Sequence, residues 1–296
     1  MAVTNKSPEG NAKEQTIVFS SEFAPNARKY INLLKLSILY RTTQGAYGGG
    51  NSFLRSLRVA WQRQGIEVLD RIAPDLDGVL VNSSSLGATG RRTLITPEMA
   101  TRMVRTGYFN PLPSLLRLSR WHDNRRPAFV HRLDGVFRLY GRPAGDPSDV
   151  AQVGINRAMD WTIYQSEFCR QSFLAEGLDV SRSTVIFNGV DIDHFFPATT
   201  LPPFSPFRLI MVSWSANLNK GASYAVRAAQ IPGVEVTFVG RWPSELAVGK
   251  VHVLPPQTHQ DLPSLVREHH AICSMAWCSM SRAPTQFSRA WPVVCR

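Results

Sequence analysis

One segment past the middle of the chain limits the folds that are open to it. It reads VIFNGVDIDHFFP from Val185 to Pro197, and its first three residues favour a short β-strand. The dipeptide Asn188-Gly189 predicts a turn after that strand. Prolines at 197, 202, 203 and 206 then mark a boundary between domains. A length of 296 residues also corresponds to about two domains. An ordinary strand and turn of another α/β protein is the alternative interpretation.

Short apolar runs that read as buried strands alternate with helical patterns on both sides of this segment, which predicts an α/β protein. Ser166 is expected to cap a helix that stops at Gly177. The predicted strands lie within residues 30–40, 65–69, 78–82, 127–131, 161–165, 207–212, 234–240, 251–254 and 271–276. The predicted helices begin near residues 51, 97, 146, 166, 221 and 260.

A glycine-rich stretch, Gly48-Gly49-Gly50-Asn51, lies between the first predicted strand and a helical pattern. Such a turn lets a phosphate approach the backbone at a helix N-terminus, where free N–H groups and the helix dipole favour anions. The stretch is not a GxGxxG fingerprint, and a simple tight turn is the alternative.

Three polar residues follow predicted strands and are therefore candidates for a site, because the carboxyl ends of parallel strands face the ligand crevice. His131 and Asp134 end or follow the strand at 127–131, and Lys220 follows the strand at 207–212. A lysine beside a helix N-terminus suits a diphosphate. The alternatives are a structural histidine with satisfied ring nitrogens and a solvated surface lysine.

Several of these segments together resemble the retaining GT-B glycosyltransferases, family four. The similar stretches are YGGGNSFLRSL, VHRLDG, QSEFCRQSFLAEG, VIFNGVDIDHFFP and SWSANLNKG. The resemblance implies two Rossmann-like, doubly wound domains, the second incomplete, and transfer of a hexose-type sugar from a nucleotide sugar to an acceptor hydroxyl with retention. It assigns donor binding to Gly49, Gly50, Asn217, Lys220, Gly240 and Arg241, and catalysis to His131 and Asp134. Ser215 departs from the pattern, since many members have arginine there.

The resemblance breaks after about residue 278. The family has two glutamates separated by seven residues in this region, whereas residues 280–296 contain no Asp or Glu. Back-translating Met280 onward with permitted codons, and reading from the third base, yields EPCPNAILEGLACGLP, which is the missing motif. A frameshift followed by early termination is therefore expected, and a divergent native tail is the alternative.

The predicted organisation follows from these points. Residues 1–28 are expected to be a disordered tail, 29–197 the acceptor-side domain, 198–206 the linker, 207–278 a partial donor domain and 279–296 an aberrant tail. The alternatives for function are an inactive truncated product, a pseudoenzyme that binds nucleotide sugars, and an oxidoreductase. The absence of a GxGxxG motif with an acidic residue about 20 positions on argues against the last.

Composition limits the partners. The net charge of +11 suits phosphate or anionic acceptors, but the arginines are scattered and no RNA-binding motif appears, so no nucleic acid is expected. The acceptor is expected to be a glycan, a lipid-linked sugar or a small molecule. A cytoplasmic location, with peripheral contact at the inner face of the membrane, is the expectation. The four cysteines have no metal-ligand spacing, and neither a metal nor a separate cofactor is predicted.

Overall fold

The computed structural model describes residues 34–45, 48–87, 94–116, 118–121, 125–200 and 202–273, without the side chains of 113 and 114. Two parallel β-sheets organise this part of the chain, one on each side of residues 186–206. The predictions for the tail at 1–28 and for residues 274–296 lie outside the described residues. No helix among the described residues is long and apolar enough to cross a membrane.

The first sheet has six parallel strands in the order β2-β1-β3-β4-β5-β6. Its strands are β1 (Lys35–Leu39), β2 (Glu67–Leu69), β3 (Gly78–Asn82), β4 (Ala128–Leu133), β5 (Trp161–Tyr164) and β6 (Ser183–Val185). Because neighbouring strands are parallel, each pair needs a crossover connection, which brings all the strand carboxyl ends to one edge. β3 has the predicted bounds.

Helices occupy the crossovers of the first sheet. They are α1 (Gly48–Arg63), α2 (Pro97–Thr106), α3 (Pro111–Leu115), α4 (Pro147–Asn156) and α5 (Glu167–Ala175), with a 3₁₀ turn at Phe137–Tyr140. The predicted cap of α5 is confirmed, since the Ser166 hydroxyl accepts a hydrogen bond from Cys169 N. Asp146 caps α4 in the same way, with its carboxylate accepting from Ser148 N. These local signals set the helix starts.

Both faces of the first sheet are covered by apolar side chains. Ile38 and Leu80 pack with Leu54 of α1 on one face. Their neighbours in the strands, such as Leu39 and Val79, pack with α2 and α4 on the other face. The alternation of strand side chains between two buried faces explains why the strands read as continuous apolar runs. This is the doubly wound arrangement that the resemblance implies.

The second sheet has four parallel strands in the order β10-β7-β8-β9. They are β7 (Phe207–Ser213), β8 (Val234–Gly240), β9 (His252–Leu254) and β10 (Ala271–Cys273). The helices are α6 (Ala222–Ala228) and α7 (Leu262–Arg267), with a 3₁₀ turn at Leu218–Lys220. Met211, Phe238 and Ala225 are buried between the sheet and α6. β8 has the predicted bounds.

Three sequence predictions need correction. The strand expected at Val185–Phe187 ends at Val185, and Phe187 is exposed, because the pairing with β5 stops there. β4 continues past His131 to Leu133, because it pairs with β5 up to Tyr164. The three glycines form the first turn of α1 rather than a separate loop before it.

Candidate functional site

The carboxyl edges of the two sheets meet, and the loops that follow their strands are in contact. The amide nitrogen Nδ2 of Asn217, after β7, donates to the backbone oxygen of Tyr140, after β4, at 2.9 Å. The Lys220 ammonium lies 4.3 Å from the centroid of the Tyr140 ring. A crevice between two such edges is where open α/β sheets bind ligands. Tyr140 thus joins two predicted donor-binding residues to the first domain.

The glycine turn of α1 lies against residues from both domains. Gly48 has a φ of +82°, and a Cβ at this position would come within 2.8 Å of Trp214 Nε1. A Cβ at Gly50 would lie 3.0 Å from the Asp134 carboxylate, whereas a Cβ at Gly49 would meet nothing within 4 Å among the described residues. α1 has 16 residues, so its N-terminus presents free backbone N–H groups and a positive dipole end. The space at Gly49 leaves this end accessible.

Two cations of the second domain lie in the loops that follow its strands β7 and β8. Lys220 ends the 3₁₀ turn, and Gly221, with a φ of +94°, reverses the chain into α6. The Arg241 guanidinium lies 5.0 Å from the centroid of the Trp214 ring. Gly240 is required here, because a Cβ would overlap the backbone oxygen of Ser213 at 1.6 Å. Arg241 thus shares Trp214 with the α1 glycine turn, while Asn217 and Lys220 contact Tyr140. Sequence reasoning missed both aromatic residues.

Asp134 is held by a buried arginine. Arg132 is 2% exposed and donates to Asp134 Oδ1, to Asn82 Oδ1 at 2.8 Å and to Asn188 Oδ1 at 2.9 Å. Its guanidinium carbon lies 4.0 Å from the centroid of the Phe53 ring. Asn82 also donates to the second Asp134 oxygen at 3.1 Å. The carboxylate is therefore fixed beside the glycine turn while about a third of its side chain stays exposed.

His131 does not join Asp134 at the cleft. Its ring is fully buried, with Nε2 2.8 Å from Ser83 O and Nδ1 3.2 Å from Asn156 Nδ2. A carbonyl needs a donor and an amide NH₂ needs an acceptor, so these partners assign the neutral Nε2–H tautomer. Burial lowers the pKa of His131 to about 4, which keeps the ring uncharged. Its environment is that of a positioning residue for the loop after β3.

A cavity of about 1230 Å³ lies at the carboxyl edge of the first sheet and reaches Trp214. Tyr40 contributes to its wall, and burial followed by the nearby Asp134 charge raises the pKa of this phenol. Arg41, Arg71, Arg120 and Arg142 also contribute to the wall. Sequence reasoning missed these arginines, because they come from four separate loops. Across the residues that the structure describes, no group of three or more His, Cys, Asp or Glu could hold a metal ion.

The fold and this crevice define a class: a two-domain α/β protein with a crevice between the carboxyl edges of two Rossmann-like sheets. No family model and no curated protein matches the chain. Among solved structures, sucrose-phosphate synthase (tll1590) from Thermosynechococcus elongatus is similar, with 14% identity and a TM-score of 0.52. That match covers 81% of this chain and 74% of the synthase chain.

A second similar structure is Anabaena Alr3699/HepE in complex with UDP-glucose, with 14% identity and a TM-score of 0.51. The match covers 82% of this chain and 73% of the HepE chain. At this identity the likeness concerns the fold alone. It shows that the chain has the GT-B fold, as the sequence predicts.

Proposed function

We propose that this chain binds a nucleotide sugar between its two domains and transfers the sugar to an acceptor hydroxyl. The observation that carries the proposal is the contact of both the α1 glycine turn and Arg241 with Trp214, together with the contact of Lys220 with Tyr140 of the first domain. A helix N-terminus and two cations suit a diphosphate. The similar HepE structure was solved with UDP-glucose, which makes this compound the first probe.

The residues have distinct roles in the proposed reaction. Gly49, Gly50 and Lys220 face the diphosphate and stabilise the charge that grows on it as it leaves. Arg241, beside Gly240 and Trp214, faces the nucleotide, and Asn217 holds its loop against Tyr140. Asp134 is placed to orient the sugar, and buried His131 supports the loop after β3. The nucleotide sugar is a substrate, and the proposal includes no separate cofactor.

The proposal also includes retention of configuration at the anomeric carbon, which rests on the family resemblance. The reaction needs no covalent intermediate on the protein, since the site orients donor and acceptor and stabilises the leaving group. Retention is tested by the anomeric configuration of the first product, read by NMR before it equilibrates.

Binding without transfer is a second candidate, because residues 280–296 contain no Asp or Glu where the resembled family has its glutamate pair. Release of UDP from UDP-glucose, with and without acceptor sugars, separates the two functions. Sugar transfer supports the enzyme, whereas tight binding with no UDP release supports the binding protein.

Donor binding is tested by calorimetric titration of UDP-glucose into the wild-type chain and two lysine variants. Lys220→Ala is expected to weaken binding about tenfold, the loss of one charge-assisted hydrogen bond. Lys250→Ala is the matched control, because Lys250 is exposed and lies away from the strand carboxyl edges. Equal affinities of the wild type and Lys220→Ala would contradict the diphosphate assignment.

A further inference from the structure

The acceptor side of the crevice has an unusual concentration of positive charge. Four arginines contribute to the wall of the 1230 Å³ cavity, from the segments after β1, after β2, before β4 and after the 3₁₀ turn that ends at Tyr140. The carboxylates in the wall are Asp70 and Asp146. Of these, Asp146 is buried and caps α4 through Ser148 N at 2.9 Å. The cavity is therefore positively charged overall.

The arginines differ in the contacts that their guanidinium groups make within the protein. Arg120 donates to Ile72 O at 2.9 Å and lies 4.5 Å from the Tyr108 ring centroid. Its Nε is buried without a hydrogen-bond acceptor among the described residues. Within the same described part of the chain, the side chains of Arg41 and Arg142 form no ion pair and donate no assigned hydrogen bond. Two exposed guanidinium groups thus remain available at the cavity.

We infer that the acceptor is an anionic sugar, with a phosphate group bound by Arg41 and Arg142 in this cavity. This inference rests on the proposed transfer reaction and names its acceptor class. A phosphate monoester has a charge of about −1.5 to −2 at neutral pH, so it matches several arginines better than a single carboxylate does. The planar fork of arginine also suits phosphate oxygens in pairs.

The phosphate takes no part in the bond changes. An acceptor hydroxyl oxygen forms a bond to the anomeric carbon of the donor sugar. The bond from that carbon to the diphosphate oxygen breaks, and its electron pair stays on the diphosphate. The hydroxyl proton passes to the departing diphosphate oxygen, so atoms and charge balance. The arginines fix the far end of the acceptor and thereby orient its hydroxyl.

The test compares glucose 6-phosphate with glucose, by calorimetry on the full chain with UDP present. Glucose 6-phosphate is expected to bind at least tenfold more tightly than glucose. Arg41→Gln and Arg142→Gln are each expected to weaken this binding about tenfold, the loss of one hydrogen bond to a charged group. Arg63→Gln, at the exposed end of α1, is the matched control and is expected to change nothing.

The outcomes separate this inference from the proposed function. If UDP-glucose binds, glucose and glucose 6-phosphate bind equally, and phospholipid vesicles do not bind, the anionic acceptor is refuted while donor binding stands. If UDP-glucose does not bind at all, the proposed function fails. If the arginine variants bind glucose 6-phosphate as the wild type does, the assigned phosphate site is wrong.

A phosphorylated acceptor has two sources, a soluble sugar phosphate or a phospholipid headgroup. Co-sedimentation with vesicles of phosphatidylcholine containing phosphatidylinositol distinguishes them. Binding of glucose 6-phosphate without binding to vesicles supports the soluble source. Vesicle binding that Arg41→Gln and Arg142→Gln weaken, and Arg63→Gln does not, supports the headgroup. Binding of neither probe would overturn the inference.

Discussion

Replacing the buried Arg132 with methionine should destabilise the first domain strongly, whereas the same change at an exposed arginine should not. Arg132 is 2% exposed and donates to Asn82, Asp134 and Asn188. In Arg132→Met the buried Asn82 oxygen loses its donor, at a cost of about 1–3 kcal/mol. Asn188 is exposed and Asp134 is a third exposed, so water replaces part of their bonds. We expect a total loss of about 3 kcal/mol.

Arg126→Met is the matched control. Arg126 donates to both oxygens of Asp160, at 2.7 and 2.6 Å, but this pair lies at the surface. An exposed ion pair contributes about 1 kcal/mol or less. The two variants therefore remove arginine–carboxylate pairs whose carboxylates are about equally exposed, at 33% and 34%, and whose arginines are 41% and 2% exposed.

The assay is native-state hydrogen exchange at the amides of β4, with urea as the perturbant. Exchange at these amides reports the opening of the first sheet, so unfolding of the second domain does not obscure it. Our reasoning would be refuted if Arg132→Met lowered the opening free energy by no more than Arg126→Met does. That result would mean that the buried guanidinium is not stabilised by its three acceptors.

Two further predictions concern pH and the contact between the domains. The pKa of His131 is about 4 in the folded chain, below its unfolded value of about 6.5. Between these pH values the unfolded chain binds more protons, so the free energy of unfolding falls as the pH drops from 6.5 to 4. Protonation of His131 in the unfolded chain should lower the free energy of unfolding of the wild type by up to about 3 kcal/mol over this range. In urea titrations, the free energy of unfolding of His131→Gln should depend correspondingly less on pH. Gly141→Ala and Gly145→Ala strain similar backbones, with φ of +88° and +77°, but only the first brings a Cβ within 2.2 Å of Asn219 Nδ2. The Asn219 amide is the end of a flexible side chain and can rotate away, so X-ray scattering should show equal radii of gyration for the two variants and the wild type. A larger radius in Gly141→Ala alone would contradict this and would mean that the Asn219 side chain is held rigidly at the contact.

The parts of the fold that the sequence predicts well depend on local signals. The predicted bounds of β3 and β8 match the observed ones, since β3 is a compact apolar run, β8 alternates before it becomes apolar, and glycine or asparagine ends each strand. The Ser166 cap needs only the three residues that follow it. By contrast, the end of β4 depends on pairing with β5, which is about 30 residues further along the chain. The burial of His131 follows from that pairing and could not be predicted.

The candidate site was predicted only where a motif marks it. Lys220 and the α1 glycines belong to recognisable strand-to-helix turns, so the sequence indicates them. Arg132 lies just after the predicted strand at 127–131, and its acceptors Asn82 and Asn188 lie 50 and 56 positions away. The cavity arginines belong to separate loops that only the sheet topology brings together. Tertiary contacts of this kind leave no spacing signal in one sequence.

The two proposals together give the net charge of +11 a structural reason. A diphosphate donor and a phosphorylated acceptor repel each other when they approach within one crevice, and the repulsion grows as water is excluded. Cations on the two sides would offset it: Lys220 and Arg241 beside the donor, Arg41 and Arg142 beside the acceptor. The buried pair of Arg132 and Asp134 lies at the edge of the donor region, where Asp134 lies next to the Gly50 turn. Its carboxylate is therefore paired before any ligand arrives, so that it adds little repulsion towards either phosphate.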